Sequence, residues 1–168
     1  ELRFQGDATR SLLEPKGIKI GADNRLYVMD HGNKRVLIFG LDGEAEGVVA
    51  DGVLQYDPDS DPKTADLAPS AWGLGVGPDG SVYIADTWNS RVQIFSEGDP
   101  NVWQALRSWS LDAWLTNSLE NKPYLAVDGQ GHIFVTDPEA FRVLEFTTSG
   151  QFLRTWGDYG TDPGSFEL

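Results

Sequence analysis

The sequence predicts an all-β fold of four-stranded antiparallel units, and three observations predict it. A fourteen-residue signature occurs three times, at Leu26–Phe39, Val82–Phe95 and Ile133–Phe146. In each copy an aspartate ends one apolar run and an arginine opens the next, pairing Asp30 with Arg35, Asp86 with Arg91 and Asp137 with Arg142. The steps between aspartates are 56 and 51 residues, the long internal period of a repeat architecture. No stretch sustains a 3.6-residue apolar period, while short β-branched and aromatic runs alternate with glycine-rich turns.

Each repeat reads as four short strands. The first is Gly17–Ile20, Gly73–Val76 or Tyr124–Val127. Four-residue polar turns follow at 22–25, 77–80 and 128–131, with hairpin chemistry. The second strand ends at the repeated aspartate. The third runs from the repeated arginine to Phe39, Phe95 or Phe146. A second turn leads to a less regular fourth strand, placed at Gly47–Gln55, Val102–Trp109 and Gln151–Trp156.

The middle strands, such as Tyr27-Val28-Met29 and Val36-Leu37-Ile38-Phe39, are apolar on both faces. A lone four-stranded meander cannot bury two apolar faces. Radial stacking of meanders can, which predicts a β-propeller with three blades in this chain. The predicted divisions are residues 1–14 as the trailing strand and linker of a preceding blade, then blades at 15–68, 69–121 and 122–168.

The run from Pro15 through Gly17, Leu26-Tyr27-Val28, Asp30, Asn33 and Arg35-Val36 to Phe39 resembles the NHL repeat, a propeller-forming unit. The second copy matches at Pro78, Gly80, Tyr83, Asp86, Asn89, Arg91, Val92 and Phe95. The third departs, with Ala140 at the turn asparagine and Pro138-Glu139 before it, which predicts a differently shaped turn. The resemblance is closest to bacterial NHL arrays and implies an extracytoplasmic or cell-envelope context. It implies little about activity, because such propellers include scaffolds, protein and RNA binders and some enzymes.

Propellers close with about four to eight blades, and NHL-type rings commonly have six. Three blades therefore read as half a ring. Two routes complete it: further blades of a longer array, or a second copy forming a homodimer with two equal junctions. Leu2-Arg-Phe-Gln-Gly6 resembles Leu153-Arg-Thr-Trp-Gly157, so the N-terminus reads as a left-over fourth strand. That makes about thirteen strands for three blades and favours a fragment of a longer array, although a dimer could displace or swap one strand.

Composition narrows the partners. The 26 acidic and 13 basic residues give a formal charge of −13, which argues against nucleic acid or an anionic membrane surface. The chain has no cysteine, so disulfides and thiolate metal sites are excluded. No apolar run is long enough to span a bilayer.

The Asp–Arg pairs read as structural ties, since an active site needs asymmetry and these repeat in every blade. The connectors vary instead: Phe39 to Gly73 is 34 residues and Phe95 to Tyr124 is 29. In a propeller the fourth-to-first linkers and second-to-third turns share one face. That face would gather His31, Trp72, Trp88, Trp114, Tyr124 and Phe141 as a binding surface for a protein, peptide or glycan. The competing reading packs some of these tryptophans beneath their own linkers.

Asp57, Asp59 and Asp61 alternate like the opening of a calcium loop. Pro62 stands where that loop needs glycine and Ala68 where it needs a bidentate acid, so a solvated acidic loop is favoured and weak calcium binding stays open. No other cofactor is indicated. His31 and His132 fall on opposite faces and cannot share a zinc ion. No nucleophile–base pair or phosphate-binding loop occurs. The leading expectation is a non-catalytic binding or scaffold segment. The alternatives are part of a metal-dependent hydrolase or lyase whose ligands lie mostly on other blades, and a structural or engineered unit.

Overall fold

The computed structural model describes residues 11–50, 71–98, 103–111 and 123–167. Among these residues, twelve strands form three four-stranded antiparallel sheets, each in sequential order. The first blade holds β1 (Pro15–Ile20), β2 (Leu26–Asp30), β3 (Arg35–Phe39) and β4 (Ala45–Val49). The second holds β5 (Gly73–Val76), β6 (Val82–Asp86), β7 (Arg91–Glu97) and β8 (Trp103–Ser110). The third holds β9 (Leu125–Val127), β10 (Ile133–Asp137), β11 (Arg142–Phe146) and β12 (Phe152–Trp156).

The fourth strand of the first blade starts two residues before its predicted position. Gly40 N–H donates to Glu44 O at 2.9 Å, and Gly43, at φ +89°, completes the tight turn, so pairing resumes at Ala45.

Period-2 alternation gives each blade two faces. One face, here the entry face, carries Val28 and Leu37 in the first blade, Ile84 and Gln93 in the second, Val135 and Leu144 in the third. The opposite exit face carries Tyr27, Met29, Val36 and Ile38 in the first blade and Tyr83, Ala85, Val92 and Ile94 in the second.

Exit and entry faces meet in two cores. Tyr27, Met29, Val36 and Ile38 pack on Leu74, Val82, Ile84 and Phe95. Tyr83, Ala85, Val92 and Ile94 pack on Leu125, Ile133, Val135, Leu144 and Phe146. Burying each of these larger side chains contributes about 1.5–3 kcal/mol, so the junctions between blades hold the fold together. The inner strands approach closely there. A Cβ on Gly73 would sit 2.8 Å from the backbone nitrogen of Leu125.

Candidate ligand face

The second-to-third turn of every blade is one 3-10 turn, at His31–Asn33, Thr87–Asn89 and Pro138–Ala140. Each ends on a left-handed residue, Lys34 at φ +57°, Ser90 at +48° and Phe141 at +54°. The third turn therefore keeps the shape of the other two despite Ala140. Pro138, with its ring-fixed φ, opens the turn, and Phe141 N–H closes it on Pro138 O at 3.3 Å.

Ala140 changes the bonding instead. Asp30, Asp86 and Asp137 are buried directly opposite their arginines. The Nε donors of Arg35, Arg91 and Arg142 reach their carboxylates at 2.9, 2.7 and 2.8 Å. Asn33 adds a bond to Asp30 at 2.8 Å, Asn89 one to Asp86 at 2.9 Å, and Gln93 another to Asp86 at 2.8 Å. In the third blade alanine replaces the asparagine, and Asp137 Oδ1 is buried with no hydrogen-bond partner among the described residues.

The first pair also anchors the incoming linker. Leu13 N–H donates to Asp30 Oδ1 at 2.6 Å, Gly32 N–H to Leu13 O at 2.8 Å, and Arg35 Nη2 to Ser11 O at 3.3 Å. A carboxylate with this many donors is neutralised in place and holds strand, turn and linker together.

The predicted aromatic residues fall into two groups. His31 meets Trp72 at an interplanar angle of 59° with ring centroids 5.2 Å apart, and Lys16 Nζ lies 5.0 Å from the Trp72 ring. At the third blade, Tyr124 and Phe141 line one cleft of about 300 Å³ with Pro138, Arg142 and Phe166. Tyr124 is 50% exposed. Tyr159 meets Phe141 edge-on at 4.9 Å. The Tyr159–Phe166 segment is held by Phe166 N–H to Asp158 O at 2.8 Å and Ser165 Oγ to Asp158 Oδ1 at 2.6 Å.

Trp114, Asp57, Asp59 and Asp61 lie outside the described residues, as do Leu2-Arg-Phe-Gln-Gly6 and the side chain of Trp88. His132 sits at the far end of its blade, between β9 and β10, bonded through Nδ1 to Asp128 Oδ2 at 3.1 Å. Burial opposes the Asp128 charge, but the backbone N–H groups of His132 and Gln130 outweigh it and hold the carboxyl below its usual range. Among the described residues no three His, Asp or Glu side chains converge as a metal site. No helix among them is long and apolar enough to cross a membrane.

Glu145 escaped the sequence reading. It occupies the position of Ile38 and Ile94 in the third strand, is 4% exposed, and is bonded to Arg154 Nε. His132 Nδ1 lies 3.7 Å from its other oxygen. Reading the three signatures one beneath another, Arg-Val-Leu-Ile-Phe, Arg-Val-Gln-Ile-Phe and Arg-Val-Leu-Glu-Phe, exposes the exchange.

Radially stacked four-stranded meanders with alternating entry and exit faces define a β-propeller segment. The NHL repeat matches residues 69–95, the heart of the second blade, so the repeat recognised in the sequence is present in the chain. The fold is similar to virginiamycin B lyase from Staphylococcus aureus, at 16% identity and TM-score 0.55, covering 88% of this chain and 42% of that one. Kuenenia stuttgartiensis hydrazine synthase is similar at 14% identity and TM-score 0.57, covering 91% and 40%. A chain of a nidogen/laminin complex is similar at 14% identity and TM-score 0.55, covering 87% and 48%. The chain thus spans less than half the length of these structures, and identities this low show a shared fold alone. No curated protein matches the sequence.

Proposed function

We propose that this chain is a non-catalytic binding segment that recognises a protein, peptide or glycan across the second-to-third turns and linkers. The observation that carries the reading is the cleft of Tyr124, Phe141 and Phe166 beside Arg142. Aromatic rings offer large apolar contact at low entropic cost, and the guanidinium adds a directional donor. Arg142 uses Nε on Asp137, which fixes the side chain at the cleft wall. Trp72, tilted against His31 and overlain by Lys16, adds a second aromatic group among these turns and linkers.

The test is direct. The 168-residue chain is probed on peptide and glycan arrays beside its Phe141→Asn and Trp72→Ala variants. The reading expects a hit weakened at least tenfold by Phe141→Asn with the fold intact. A hit indifferent to both variants overturns it.

A further inference from the structure

The three repeated arginines share one tie and differ at their tips. Each donates its Nε to a buried aspartate. Arg35 also donates Nη2 to the carbonyl of Ser11 at 3.3 Å, and its side chain is 10% exposed. The side chains of Arg91 and Arg142 are 32% and 37% exposed, and their Nη groups meet no acceptor among the described residues. Arg91 belongs to the middle blade, so its open tip does not depend on where the stack ends.

One glycine accounts for the difference. In the first blade Ser11–Leu13 lies against the second-to-third turn. Asn33 Nδ2 donates to Ser11 O at 3.1 Å, Leu13 N–H to Asp30 Oδ1 at 2.6 Å, and Gly32 N–H to Leu13 O at 2.8 Å. A Cβ on residue 32 would sit 2.8 Å from Leu13 O, too close for any side chain. Trp88 and Glu139 occupy the place of Gly32 in the other two turns. A chain on the path of Ser11–Leu13 therefore fits the first turn and neither of the others.

The first blade also shows what such a tip binds, a peptide carbonyl. Each Asp–Arg pair is neutral as a unit, and the chain carries a formal charge of −13, so no field draws a carboxylate or phosphate to the open tips. A neutral oxygen acceptor suits the planar guanidinium fork. We infer that Arg91 and Arg142 take backbone carbonyls of a peptide laid across the second and third turns, while Gly32 closes the first turn to it. The inference rests on the binding reading above and narrows its ligand to a peptide held partly by its main chain.

Two measurements test this. Phenylglyoxal, which modifies open guanidinium groups, is applied to the 168-residue chain and read by peptide mapping. Arg91 and Arg142 should react at least tenfold faster than Arg35, and Gly32→Ala should bring Arg35 to their rate. Equal rates in the parent overturn the inference, as does a slow Arg35 in folded Gly32→Ala; if that variant does not fold, the parent rates decide. The second measurement uses the same peptide and glycan arrays. Peptides should bind, and Arg91→Lys and Arg142→Lys, which keep the charge and lose the outward fork, should each weaken the peptide hits at least tenfold. Where a lysine variant does not fold, the bound peptide should slow phenylglyoxal at both arginines of the parent, and unslowed labelling overturns the inference. Peptide hits weakened by Phe141→Asn but indifferent to both lysine variants overturn it and leave the binding reading standing, as do hits among glycans alone. Hits indifferent to Phe141→Asn and Trp72→Ala overturn both, and so do arrays without a hit.

Discussion

Arg25, on the first-to-second turn of the first blade, donates through Nη2 to Glu97 Oε2 at 2.6 Å at the end of β7 in the second blade. The same guanidinium donates through Nε to Asp23 at 2.6 Å, and Asp23 accepts the Tyr27 hydroxyl at 2.8 Å. One cation thus joins two blades at the edge opposite the second-to-third turns. A double-mutant cycle of Arg25→Ala and Glu97→Ala, read by urea unfolding, should give a coupling of about 0.5–1 kcal/mol, because both side chains stay partly solvated. A coupling of zero would mean that apolar packing alone joins the blades.

The same network predicts a pH response. Burial pushes the Tyr27 hydroxyl up from its ordinary 10.0, and its bond to Asp23 pushes it further. The raised folded value means stability is fully present below pH 10 and is lost as pH rises beyond it. Burial opposes the charge of Asp23, but bonds from Arg25 and Tyr27 outweigh it and hold its carboxyl below 3.8. That contribution is present above pH 3.8 and falls away in stronger acid. In urea midpoints measured against pH, Tyr27→Phe should flatten the alkaline limb. The limb keeps part of its slope, because burial also raises Tyr83.

Gly73 marks the tightest backbone approach between the second and third blades. An added Cβ would lie 2.8 Å from Leu125 N and 2.9 Å from the Ala85 Cβ. Gly73→Ala should cost about 1–3 kcal/mol by overpacking. Gly43→Ala should cost about 1 kcal/mol, since its site is open and only its φ of +89° resists a side chain. Thermal unfolding of the two variants checks the order.

Phe141 holds a left-handed conformation that phenylalanine rarely adopts. Asparagine tolerates that backbone. If the ring serves a ligand, Phe141→Asn should change stability by less than about 1 kcal/mol, the backbone gain offsetting the lost contact with Tyr159. A loss beyond about 3 kcal/mol would return the ring to the core.

The repeat made the blades legible in sequence. Alternation in Tyr27-Val28-Met29 and Val36-Leu37-Ile38 displays both faces, and the Asp–Arg spacing places every second-to-third turn. What each face meets was not legible, because neighbouring blades are about fifty residues apart. The partners of Arg25 and Glu97 are set by that packing. Tyr124 and Phe141 line one cleft, and Phe166, which completes it, lies outside the repeated signature and carries no signal in sequence. Glu145 was hidden inside a matching signature, where the family pattern drew attention to the residues that agree. The third turn misled in the other direction: Ala140 suggested a new shape, but proline and a left-handed Phe141 restored the old one.

The repeated acid–arginine pair ties the second strand of each blade to the third. Urea unfolding of Asp86→Ala beside Asp137→Ala measures what that tie contributes. Asp86 accepts from Asn89, Arg91 and Gln93, whereas Asp137 accepts from Arg142 alone among the described side chains. Asp86→Ala should cost about 3–5 kcal/mol by stranding buried donors, and Asp137→Ala about 1–2 kcal/mol. Full stability in both variants would contradict the claim and mark the pairs as sites kept for a ligand.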